Sequence, residues 1–300
     1  MNILSVVTAR VFLFIAMMIM AAGVRAQLRT AYHDEIEQWH KQRIKDLRSE
    51  NGWLNLVGLY WLSPGKNSFG SGPGVAVRFP EGTMPADAGY FELIDATVRM
   101  VVKNGVNITV NGKPVQEAVV FDKDSARETQ LGPLKWNIIR RGDKFGVRIR
   151  NLESLAVKDF KGIERYEVDS AWRISAVLEP SVPGGIAIKN VLGQTSTVSS
   201  PGKLVFTLGG KRYSLDALDD NGDELFIIFG DETNGVDTYP SGRYVYVKNP
   251  GPNGATILDF NKAYNPPCAF TDHATCPLPP PQNLLPLAIT AGEKNYGTHK

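Results

Sequence analysis

Apolar and polar residues divide the chain into an apolar leader, one amphipathic segment and a long succession of short alternating runs. Residues 32–50 carry a helical repeat: Ile36, Trp39, Arg43 and Leu47 fall on one face, with Tyr32 a turn earlier and Ile44 close by. Asp34, Glu35 and Glu37 gather early, and Lys41, Arg43, Lys45 and Arg48 late, as the helix dipole favours. Asn51-Gly52 ends the helix. Strand and turn signals then dominate. Strand-like runs occupy 58–62, 75–79, 90–102 (broken at Asp95), 134–140, 144–150, 172–179, 224–229, 243–247 and 256–260. Two hairpins stand out, 107–116 across Asn111-Gly112 and 204–215 across Gly209-Gly210, because these pairs readily adopt the positive φ of a tight turn. Many short strands with glycine-rich turns predict a mainly β protein. The body should be an antiparallel β-sandwich or barrel-like, with one N-terminal helix.

Two stretches break this rhythm. Residues 180–202 are rich in Gly, Pro, Ser and Thr, and are the best joint between an N-terminal half, 27–180, and a C-terminal half, 181–300. The alternative is one continuous domain in which 186–188 and 195–198 form a long hairpin. Residues 261–293 hold Pro266-Pro267 and Pro279-Pro280-Pro281. Proline has no backbone N–H to donate, so this tail should run as an extended strap over the body. Interleaved Cys, Phe and Leu make it a poor exposed ligand for a polyproline-binding partner.

The leader changes the picture of the whole. Arg10 precedes an apolar run at 11–22, Gly23 breaks it, and Val24-Arg25-Ala26 offers small residues at the cleavage positions. This is the layout of a secretory signal over residues 1–26 and predicts a periplasmic or secreted protein. The apolar run has about a dozen residues against the roughly 20 of a membrane-spanning helix, so an uncleaved anchor is the weaker reading. No stable membrane span is expected after cleavage. Loss of Arg10 and Arg25 takes the 33 basic residues to 31, against 31 acidic. A balanced chain without a basic block does not fit nucleic-acid binding. Export also favours a disulfide between the only cysteines, Cys268 and Cys276, over two buried thiols. His273 alone stands near them, which is too few ligands for zinc. No metal or cofactor is implied.

Most chemical motifs reduce to surface turns. Asp219-Asp220-Asn221-Gly222-Asp223-Glu224 resembles a calcium loop, but with Gly222 as the sixth position Ala217 and Ile228 stand where acids are required. No nucleophile elbow is present, and His33 and His40 lack a third ligand. The remaining concentration gathers Asp231, Thr233, Tyr239, Arg243, Asp259, Asn261, Tyr264 and Asn265 around apolar strands. Arg243 offers forked donors suited to carboxylates, with Asp231 and Asp259 as its natural partners. Such a cluster is either a structural network tying the strap to the sheet or a pocket.

The motifs Gly52-Trp-Leu-Asn-Leu-Val-Gly-Leu-Tyr-Trp-Leu62, Tyr239-Pro-Ser-Gly-Arg-Tyr244, Asp259-Phe-Asn-Lys-Ala-Tyr-Asn-Pro-Pro-Cys-Ala-Phe270 and Ala291-Gly-Glu-Lys294 resemble the bacterial domain-of-unknown-function 1684 family over roughly residues 35–294. The resemblance implies that the strap and the Tyr-x-x-Gly-Arg-Tyr turn are family features, and brings no activity with it. A fainter similarity in rhythm, from Leu62 to Lys113, is to the forkhead-associated β-sandwich. The Arg, Ser and His of that fold's phosphopeptide edge are not in place.

Two functions follow. The favoured one is binding of a small-molecule or glycan ligand at the strap–sheet junction, with Arg243 anchoring an anionic group, Tyr239 and Tyr264 as flat contacts, Asn261 and Asn265 fixing orientation, and Thr233 nearby. The alternative is a hydrolase acting on cell-envelope material through Asp231 or Asp259 as general acid or base.

Overall fold

The computed structural model describes residues 27, 29–181, 184–219 and 222–297. The export signal placed on residues 1–26 lies outside them. The chain is mainly β, with antiparallel sheets and a helix over 29–48. That helix buries Ile36 and Leu47 almost completely, as its periodicity predicts. It stops at Gly52, whose missing Cβ lets the turn pass against the Leu47 carbonyl.

Residues 56–151 form two six-stranded sheets. One runs in the order Leu56–Trp61, Lys144–Asn151, Leu134–Arg141, Thr129–Leu131, Thr109–Val110, Lys113–Pro114. The other runs Val77–Arg78, Gly65–Gly70, Gly89–Ile94, Thr97–Val102, Glu117–Asp122, Ser125–Ala126. Their facing side chains make one core, in which Phe69, Phe91, Met100, Trp136, Val147 and Ile149 are sealed from water. Alternation along each strand produces this face, since successive side chains point to opposite sides. Asn111 and Gly112 both take positive φ in the tight turn their sequence predicts, at 49° and 76°.

The second half is a separate six-stranded sheet in the order Arg243–Lys248, Glu224–Phe229, Lys211–Asp219, Gly202–Leu208, Arg173–Pro180, Ala255–Asp259. It curls almost into a barrel. Its two edge strands come together where the Thr256 hydroxyl donates to the Lys248 carbonyl at 2.7 Å. Its core holds Phe206, Ile227, Phe229, Leu258 and Phe260. The strand Arg173–Pro180, grouped by composition with the first half, pairs here with Gly202–Leu208 and Ala255–Asp259. The change of sheet therefore falls between Asn151 and Arg173. The Gly/Pro-rich stretch is an excursion within the second sheet, carrying the hairpin Ile186–Lys189 with Thr195–Val198.

The strap crosses this second sheet, interrupted by single 3-10 turns at Phe260–Lys262, Pro267–Ala269 and Pro281–Asn283. Backbone bonds anchor it: Tyr244 and Tyr264 exchange N–H···O bonds of 2.9 and 2.8 Å, and Leu285 donates to Gly230 at 2.8 Å. Buried Asn283 bonds Asp216 and Ile228 on two adjacent strands. Cys268 and Cys276 are disulfide-bonded, with Cα atoms 6.1 Å apart.

Candidate functional site

The polar residues brought forward by the sequence do not share one centre. They resolve into three buried knots and one open groove.

Arg243 begins the strand Arg243–Lys248 and is wholly buried. Its Nη2 donates to Asp231 Oδ2 at 2.8 Å and to the Ile289 carbonyl at 2.9 Å. Its Nη1 donates to the carbonyls of Ala291 and Glu293. Asp231 Oδ1 accepts from the Thr233 amide at 2.9 Å, the Thr233 hydroxyl at 2.6 Å and the Ile289 amide at 3.2 Å. Thr233 in turn meets the Thr238 hydroxyl at 2.8 Å. The Nη contacts of this guanidinium go to Asp231 and three strap carbonyls. Asp231 is held in the same knot, with donors from Arg243, Thr233 and Ile289.

Asp259 was expected to share Arg243 and does not. It lies in a second knot, where its carboxylate accepts from Tyr32 Oη at 2.9 Å and from the Asn261 amide at 3.1 Å. Asn261 bridges from there to the Asp169 backbone in both directions, at 3.0 and 2.8 Å. Burial and the adjacent Asp259 carboxylate both hold the Tyr32 phenol protonated. The two aspartates lie on different strands: Asp231 follows Glu224–Phe229, whereas Asp259 ends Ala255–Asp259, the edge strand at the other end of the sheet order.

The third knot was only partly legible. Glu293 is fully buried and accepts from Arg43 Nε at 3.2 Å and from the Asn265 amide at 2.7 Å. Arg43 Nη2 also donates to the Asn265 carbonyl at 2.9 Å, and the Asn265 side chain donates to Lys294 O at 2.7 Å. Burial pushes the Glu293 carboxyl up, with Arg43 and the Asn265 amide pulling the other way. The available signal was an arginine on the apolar face of the helix, which needs an acidic partner to be buried there. Tyr239 packs with Leu47, Phe160 and Phe270 beneath that helix.

Of the residues put forward, Tyr264 and Asp259 line open space. A cleft of about 430 Å³ lies between the helix, the strap and the sheet edge, walled by Trp39, Trp53, Phe226, Tyr244, Tyr246 and Tyr264. A second hollow of about 510 Å³ adjoins it, sharing Trp39, Tyr246 and Tyr264. Tyr246 stands 38% exposed, nearly parallel to Tyr264 at 13° with ring centres 6.2 Å apart. Arg43 lies over the Tyr264 ring at 4.7 Å. The second hollow carries Glu35, Glu224 and Asp259 against Arg173, Lys248 and Lys262. Lys262 reaches Glu35 at 2.6 Å and draws its carboxyl below the usual value. Three acids face three bases, so this end has no net sign. Among the described residues no group of three or more His, Cys, Asp or Glu converges on a metal position.

Residues 158–294 match the family described as "Protein of unknown function (DUF1684)". The Gly52–Leu62 motif lies outside that match. No curated protein matches. Among solved structures, the solution structure of an uncharacterised protein of Haloarcula marismortui is 32% identical, covering 46% of this chain and 78% of its own, with a TM-score of 0.39. A forkhead-associated domain from a study of phosphothreonine-dependent interactions is 20% identical, covering 31% of this chain and 92% of its own, with a TM-score of 0.21.

Proposed function

We propose that this chain, a member of the DUF1684 family through residues 158–294, is an exported receptor for a neutral glycan, bound in the aromatic groove at the strap–sheet junction. Export rests on the leader pattern of residues 1–26.

One observation carries the reading. Tyr246 and Tyr264 present near-parallel rings to a cleft whose adjoining end is polar and charge-balanced. Concave sites combine apolar walls with a few oriented polar groups. A sugar ring matches both, because its C–H faces lie flat on aromatic rings and its hydroxyls bond carboxylates and ammonium groups alike. An organic cation suits the cleft less well, since the Arg43 guanidinium lines it and would repel a second positive charge. A strongly anionic ligand finds no excess of positive charge at the mixed end.

Isothermal titration of the mature protein against neutral and charged oligosaccharides tests the assignment. Saturable binding of a neutral sugar, lost in Tyr246→Ala, is expected. Binding of charged ligands alone, or unchanged sugar binding in that variant, overturns it. A hydrolytic reading would have to rest on Asp259 without Asp231, which is saturated by Arg243 and Thr233.

A further inference from the structure

The strand Lys144–Asn151 places Val147 and Ile149 in the sandwich core, fully buried. Arg148 and Arg150 therefore project from the opposite face of the sheet. Arg148 is only 9% exposed, yet beyond the backbone pairing of its strand neither its side chain nor that of Arg150 makes a hydrogen bond or ion pair with any described residue. The Nε atoms of both are buried without an acceptor. Arg148 has one favourable contact, the Trp53 ring 5.4 Å beneath its guanidinium. Its charged neighbours are Arg141 and Arg150, of its own sign. Glu128 is the acid whose field reaches Arg150, and it already pairs with Lys135 at 3.3 Å.

Buried donors in folded proteins are almost always satisfied, and a buried charge is paired. Each guanidinium carries five N–H donors in a planar fork shaped for two oxygens. Two such forks alternate on one strand face, one of them stacked on a tryptophan. That arrangement is costly as it stands and becomes favourable when an oxyanion supplies both the charge and the acceptors. We propose that Arg148 and Arg150, with Trp53 as the backing ring, form a binding site for a small oxyanion, a carboxylate or phosphate group. This site lies on the side of its sheet opposite the sandwich core, on different elements from the glycan groove apart from Trp53, and does not depend on that reading.

The test follows the melting temperature of the full mature chain as inorganic phosphate is added at ionic strength held constant with chloride. The chloride control is required because salt alone screens the Arg148–Arg150 repulsion. A saturable rise is expected in the wild-type protein, with half-saturation shifted about tenfold or more in Arg148→Met and in Arg150→Met. Methionine keeps the apolar stem, so both variants retain the fold and read binding alone. A saturable response to acetate that disappears in both variants supports the site equally and assigns a planar oxyanion. No saturable response to either anion above the chloride control, or one unchanged in both variants, overturns the proposal.

Discussion

Arg43 and Glu293 join the helix to the end of the strap: a helix guanidinium donates through Nε, at 3.2 Å, to a strap carboxylate that is wholly buried. Removing the arginine leaves that carboxylate with the Asn265 amide as its remaining partner. Arg43→Met should therefore cost about 3–5 kcal/mol, the usual loss when one member of a buried pair is deleted. Chemical denaturation checks this, and a loss below about 1 kcal/mol would show that the pair does not hold the helix down.

The same carboxylate makes a pH prediction. Burial raises the folded value of Glu293 above its ordinary 4.5. A carboxyl raised on folding binds protons more readily in the native state. Its contribution is therefore best below the unfolded value and declines as pH rises through 4.5 toward the folded one. Glu293→Gln removes that titration. The stability of wild type relative to the variant should fall across this interval, read as melting temperature against pH for the two proteins. A constant difference would refute the burial argument.

Arg243 draws three strap carbonyls and Asp231 together. Arg243→Ala should destabilise by about 3–5 kcal/mol and expose the last strap segment to protease near Leu284, which is already 58% exposed. Limited proteolysis with mass identification reads this. Cleavage that starts elsewhere at the wild-type rate would contradict the pinning role.

Tyr246 separates binding from folding. Being partly exposed at the groove, its change to alanine should alter stability by roughly 1 kcal/mol or less while abolishing saturable sugar binding. A large fall in melting temperature would mean that the ring is structural.

The Cys268–Cys276 bond, at a sequence separation of 8, closes a short loop. Loop entropy of that size corresponds to about 2–3 kcal/mol. Reductant should lower the melting temperature of wild type and leave a Cys268→Ser/Cys276→Ser double variant unchanged. Equal response of both proteins would place the reductant effect outside the bond.

Local pattern alone determined the elements of this protein. The helix face of Ile36 and Leu47, the turns at Asn111-Gly112 and Gly209-Gly210, and the strand Glu224–Phe229 follow from side-chain periodicity and backbone freedom, which act between near neighbours. Sequence offered Asp231 and Asp259 alike as partners of Arg243, and the structure pairs it with Asp231. Tertiary structure decided which partners Asp259, Arg43 and Glu293 took. A carboxylate in sequence does not show which guanidinium or phenol will reach it, and only the packing of the helix against the end of Ala255–Asp259 put Tyr32 beside Asp259. The groove is a further case. Trp39 comes from a helix, more than 200 residues before Tyr246 on an edge strand and Tyr264 in the strap. Their common wall exists only because the backbone of Tyr264 pairs with Tyr244 and so sets its ring beside Tyr246.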